Sequence, residues 1–93
     1  MRALLHVISY DIASDAARRR IAAQLEAVGV RVQDSVFEAH LTREAGENLL
    51  RALDLLRPDG DSIRMYVLPE DARAASRQVG GAPIGEATEF WLL

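Results

Sequence analysis

Residues 3–10, Ala-Leu-Leu-His-Val-Ile-Ser-Tyr, are apolar on both alternating faces and run directly into a carboxylate, Asp11. A short β-rich run of this kind reads as a strand buried from both sides, in the middle of a sheet with neither face left to solvent. The chain has 93 residues and no cysteine. Two pieces of such a chain would each be too small to bury a working core without disulfides or metals, so residues 1–93 form one domain. One sheet and one helical layer are all this length supplies. The second covered face of the first strand must therefore come from a partner surface.

The following segments complete a plan. Ser14 reads as an N-cap, and Ala17, Ile21, Leu25 and Val28 recur at helical spacing until Gly29 offers a stop. Residues 30–40 hold two alternating runs broken at Asp34-Ser35, which predicts two short strands or one kinked strand. Thr42 caps a second helix with Ala45, Leu49, Leu53 and Leu56 on one stripe, closed by Pro58 and the Asp59-Gly60 turn. Residues 61–68 alternate again, and a weak helical turn is expected at 71–78. Gly80-Gly81-Ala82-Pro83-Ile84-Gly85 reads as a loop, and Glu89-Phe90-Trp91-Leu92-Leu93 as a terminal strand. The order is βαββαβ, the α+β ferredoxin-like plan with both helices on one face, plus an extra C-terminal strand. Its core spans residues 1–68, with a variable loop and the terminal strand at 69–93. A sheet-to-sheet homodimer is the expected way to cover the open apolar face.

Composition excludes several classes. With 49% hydrophobic and 27% charged residues and no long apolar run, the chain is neither disordered nor membrane-spanning. The absence of cysteine removes thiolate metal sites and cysteine nucleophiles. The stretch before His6 is too short for a signal peptide, so a cytoplasmic protein is expected. The formal net charge of −3 is unlike that of a general nucleic-acid binder, yet residues 1–31 carry five Arg against three acids. The basic character is local, and every cation in the chain is Arg.

Candidate chemistry follows from position. Asp11, closing a buried strand, lies at the sheet rim, where it reads either as a Mg²⁺ ligand or as a cap for the following turn. Mg²⁺ needs only one or two protein carboxylates when water and phosphate supply the rest, and a dimer axis near the strand ends would bring two copies of Asp11 together. Arg18, Arg19 and Arg20 are about 100° apart in turn, so at most two can aim at one phosphate; the alternative is a solvated helix face. Arg31 either extends that cationic surface or pairs with Glu38. Tyr10, Phe37 and Tyr66 are strand aromatics, available to stack on bases or to fill the core. Ser35 either donates to a phosphate or holds its turn. His6 reads as a satisfied core or interface residue and His40 as a surface one, since neither sits in a metal or catalytic motif.

Together, Ser9-Tyr10-Asp11-Ile12, Arg18 to Arg20, Val30-Arg31-Val32-Gln33-Asp34-Ser35-Val36-Phe37-Glu38 and Asp61-Ser62-Ile63-Arg64-Met65-Tyr66 resemble the CRISPR-associated Cas-two (Cas2) family of spacer-acquisition proteins. The match spans residues 3–68. The resemblance implies a ferredoxin-like homodimer that joins the Cas-one (Cas1) integrase to capture and insert spacer DNA, and an Mg²⁺- or Mn²⁺-dependent endonuclease activity on RNA or DNA. It makes Tyr10 and Asp11 the catalytic strand-end pair, with Asp11 the metal ligand. Arg18, Arg20, Arg31 and Phe37, with Ser35 in the same segment, become nucleic-acid contacts. Arg19 has no counterpart. Asp34 departs from the basic or aromatic residue often found before Ser-Val-Phe, and a carboxylate there repels phosphate. Three other functions compete with the enzyme: a scaffold that holds DNA and docks Cas1 without chemistry, a stand-alone toxin-like RNA interferase of the related ferredoxin-like group, and a small-molecule regulatory module.

Overall fold

A computed structural model of the chain describes residues 2–85. The elements are β1 (Leu4–Asp11), α1 (Asp15–Glu26), β2 (Val30–Gln33), β3 (Val36–Leu41), α2 (Arg43–Asp54), β4 (Ser62–Leu68) and a short α3 (Glu70–Ala75). The four strands form one antiparallel sheet in the order β2-β3-β1-β4, so β1 is central, and this is the ferredoxin-like arrangement. The expected terminal strand at 89–93 lies outside the described residues.

Both long helices begin where the sequence provides a hydroxyl. Ser14 Oγ accepts from the Ala17 amide at 3.2 Å and Thr42 Oγ1 from the Ala45 amide at 3.1 Å, satisfying N–H groups that a helix leaves unpaired at its start. Ala17, Ile21 and Leu25 of α1 and Leu53 of α2 are buried against one face of the sheet, where they meet Ile8 and Tyr10 of β1 and Phe37, Ala39 and Leu41 of β3. His6 belongs to this face as well. It is 1% exposed, bonded through Nδ1 to the Leu4 carbonyl at 2.9 Å, and packed so closely on α2 that a Cβ on Gly46 would stand 2.4 Å from its Nε2.

The opposite face departs from expectation. α3 packs on β1 and β4, and the chain beyond it crosses to β3, so Leu5 is buried at 2% exposure although it stands outside the main core. Gly85 anchors the crossing: its carbonyl meets His40 Nε2 at 3.1 Å and its amide donates to Glu38 Oε1 at 2.9 Å. His40, expected on the surface, is therefore buried. Loss of hydration holds its imidazole below the ordinary value of 6.5, with Arg73 acting in the same direction and the Gly85 carbonyl, Glu38 and Glu70 opposing. A histidine depressed in the folded state takes up its proton first in the unfolded chain, so this contribution is intact above about pH 6.5 and is lost as pH falls below it. Thermal melts should show wild type losing more stability than His40→Gln between about pH 7.5 and about pH 5; equal losses would remove His40 from the account.

Candidate active site at the end of the central strand

The sheet rim at the end of β1 carries an open groove of about 780 Å³ lined by residues from three elements and their loops. β1 supplies Tyr10 and Asp11, α1 supplies Asp15, Arg18, Arg19 and Glu26, and the β2–β3 region supplies Arg31, Asp34 and Ser35. Asp11 is exposed at the strand end, opposite Ser62 of β4. Most of the residues that the sequence picked out meet here. Arg20 and Phe37 do not.

Each expected contact has a definite environment. Arg18 Nη1 donates to the carbonyls of Ile12 at 2.9 Å and Ala13 at 3.1 Å, and its Nη2 pairs with Asp15, so its guanidinium ties down the β1–α1 loop. That loop is held on its other side by Asp61, which accepts from the Ala13 amide at 3.4 Å. Arg20 is exposed but does not line the groove, while Arg19, which the resemblance leaves without a role, does. The helical stripe Arg18, Ala22, Glu26 marks the groove side of α1, and Arg19 is the neighbour that shares it. Arg31 pairs with Glu26 at 3.7 Å, whereas Glu38 is taken by the Gly85 amide.

The two aromatic residues correct the expectation most. Phe37 is 0% exposed and Tyr10 8%, so neither ring is placed to stack on a base. The Tyr10 hydroxyl donates to the Asp34 carbonyl at 3.2 Å, and the Tyr10 amide donates to the Ser35 carbonyl at 3.1 Å. Tyr10 thus pins the β2–β3 turn beside Asp11. Tyr66, by contrast, is 51% exposed on the other face of the sheet and accepts a 3.0 Å bond from Arg64, whose pKa that bond raises.

The groove brings three arginines together with four acids, Asp11, Asp15, Glu26 and Asp34. Arg18 with Asp15 and Arg31 with Glu26 are already paired. A phosphate entering beside Asp11 and Asp34 therefore meets local negative charge unless a cation accompanies it. Among the described residues no group of three or more metal-binding side chains is present. Asp11 and Asp34 are exposed carboxylates of this groove, and Mg²⁺ asks for no more than one or two protein carboxylates when water and phosphate supply its remaining positions.

The family model for the CRISPR associated protein Cas2 matches residues 4–75. The chain belongs to the Cas2 family. It is 41% identical over 81 residues to a CRISPR-associated endoribonuclease Cas2 of Thermus thermophilus, covering 86% of each chain. Among solved structures it superposes on Streptococcus pyogenes Cas2 with a TM-score of 0.71 at 25% identity, over 83% of this chain and 100% of that one. A chain of a partial Cas6-RT-Cas1–Cas2 complex gives a TM-score of 0.73 at 28% identity, over 89% and 92%. Membership in the Cas2 family favours a CRISPR role over the interferase and regulatory-module alternatives. No helix among the described residues is long and apolar enough to cross a membrane.

Proposed function

We propose that this Cas2 family member is a homodimeric CRISPR adaptation protein that works with a Cas1 integrase, grips the backbone of nucleic acid and cleaves phosphodiester bonds with a divalent metal. The observation that carries the site is the exposed Asp11 at the end of the central strand, in a groove that also holds Arg19 and Arg31. The nuclease reading is supported by the endoribonuclease names of the curated relatives, and the Cas1 partnership by the neighbour found in a Cas1–Cas2 assembly.

Each residue has a task in this reading. Asp11 would hold Mg²⁺ or Mn²⁺, which when bound offsets negative charge at the phosphate. Arg19 and Arg31 bind and orient the backbone. Arg18 and Tyr10 hold the two loops that frame Asp11, through the carbonyls of Ile12, Ala13 and Asp34. The deciding experiment incubates purified protein with labelled RNA and DNA, with either metal or with a chelator. Cleavage that needs the metal supports the reading, and cleavage that persists in chelator overturns it.

Dimerisation is supported by what α3 leaves uncovered. Val7 and Ser9 of β1, Val36 of β3 and the half-exposed Tyr66 of β4 share the face opposite the two long helices. A second copy packed there would cover it and bring a second Asp11 to the same rim. Light scattering at micromolar concentration should return about twice the chain mass. A monomer would sink both the dimer and the shared metal site.

A further inference from the structure

Tyr10 lines the groove at only 8% exposure, and Phe37, 0% exposed, lies outside its lining. Their centroids are 6.4 Å apart with planes inclined by 28°, and the guanidinium carbon of Arg31 lies 5.1 Å from the centroid of the Phe37 ring. Strand register explains the alignment. Arg31 faces Phe37 across β2 and β3, and Phe37 faces Ile8 across β3 and β1, so the three side chains share the helix-covered side. The row runs from the central strand to the edge strand and ends in an Arg31 side chain that is 43% exposed and lines the groove.

A guanidinium lying over a ring has its face occupied and its N–H edge directed outward in plane, the geometry that suits a phosphate. The acid beside it does not consume that edge. Glu26 stands at 3.7 Å with its own side chain 59% exposed, an ion pair weakened by solvent. Phe37 itself belongs to the core cluster with Ile21 and Leu25 of α1 and is 0% exposed, so its ring is a fixed platform for the guanidinium.

We propose that Tyr10 and Phe37 are positioning residues whose buried stack fixes the Arg31 guanidinium at the groove, and that Arg31 alone of the three takes the phosphate of a nucleic-acid backbone. The inference rests on the nucleic-acid reading above and assigns the work within it.

The test is a binding cycle with a labelled mixed-sequence DNA duplex across a salt series, using wild type, Phe37→Leu, Arg31→Met and the double variant. Arg31→Met keeps an unbranched side chain and removes the charge. It should lower the salt slope by about one unit per protomer. Phe37→Leu should weaken binding about threefold when Arg31 is present and not at all once Arg31 is Met, a non-additivity that a merely structural role does not produce. Arg31→Lys keeps the charge without the planar fork and should match Phe37→Leu in affinity while preserving the slope. An equal loss from Phe37→Leu in both backgrounds overturns the proposal. So does an unchanged slope in Arg31→Met or full affinity in Arg31→Lys, and these surface variants carry the test if Phe37→Leu does not fold. Failure of the wild-type protein to bind duplex at any salt would strike the nucleic-acid reading itself and take this inference with it.

Discussion

Asp11→Asn is expected to reduce metal-dependent cleavage by at least about a hundredfold, the scale of losing one well-placed electrostatic group from an active site. The substitution keeps the size of the side chain and one of its oxygens but removes the charge that attracts a divalent ion. Asp11 is exposed at the strand end, so the fold should notice the change by no more than about 0.5 kcal/mol. Dimerisation and duplex binding should persist. Tyr10→Phe provides the contrast. Its hydroxyl is committed to the Asp34 carbonyl, which leaves no role for it in proton transfer, so cleavage should be largely retained while stability drops by about 1 kcal/mol. Loss of activity in Tyr10→Phe with a normal melting curve would restore Tyr10 to the chemistry. Survival of cleavage in Asp11→Asn would assign the activity to another site or to a contaminant, and a wild type inert with both metals would leave the scaffold reading standing.

The parts of the structure that local chemistry decides were legible in the sequence. Two hydroxyl caps and an Asp34-Ser35 turn between alternating runs each act within a few residues, and each is present where the spacing placed it, while α2 ends at Asp54, one turn before Pro58. Asp11 was legible for the same reason, as the polar end of a buried run. What failed to show were the consequences of contacts made at long range. Alternation along β3 puts His40 on the face opposite Phe37, and nothing near residue 40 reveals that Gly85 will return to bury it. Alternation likewise leaves Phe37 free to be core or contact, and the helical layer packed on its face decides the matter. For the arginine triplet, helical spacing showed that three cations cannot share one target but not which of them turns to the groove. The stripe through Ala22 and Glu26 carried that signal for Arg19.

Gly29 illustrates the same limit and leads to a large expected stability effect. Its position after α1 reads as a helix stop, and the helix end is closed by its amide donating to the Leu25 carbonyl at 2.9 Å without a positive φ at residue 29. The requirement for glycine is spatial. A Cβ at residue 29 would stand 2.3 Å from the Glu38 carbonyl oxygen, 2.9 Å from the Ala39 Cβ and 3.1 Å from the Glu38 carbonyl carbon. The oxygen and the carbon belong to the backbone of β3, hydrogen-bonded within the sheet, so no rotamer change can make room and β2 must separate from β3 at its first residue. Gly29→Ala should therefore cost about 2–3 kcal/mol, a drop of roughly 10–20 °C in Tm for a domain of this size. Gly60→Ala is the control, since Gly60 has φ +88° and nothing within 4 Å of its missing Cβ. It meets only the backbone penalty of about 1 kcal/mol. Both melts are compared at one protomer concentration, because dimerisation would make Tm depend on it. A smaller loss in Gly29→Ala than in Gly60→Ala would show that β3 yields where the close approach requires it to stay fixed.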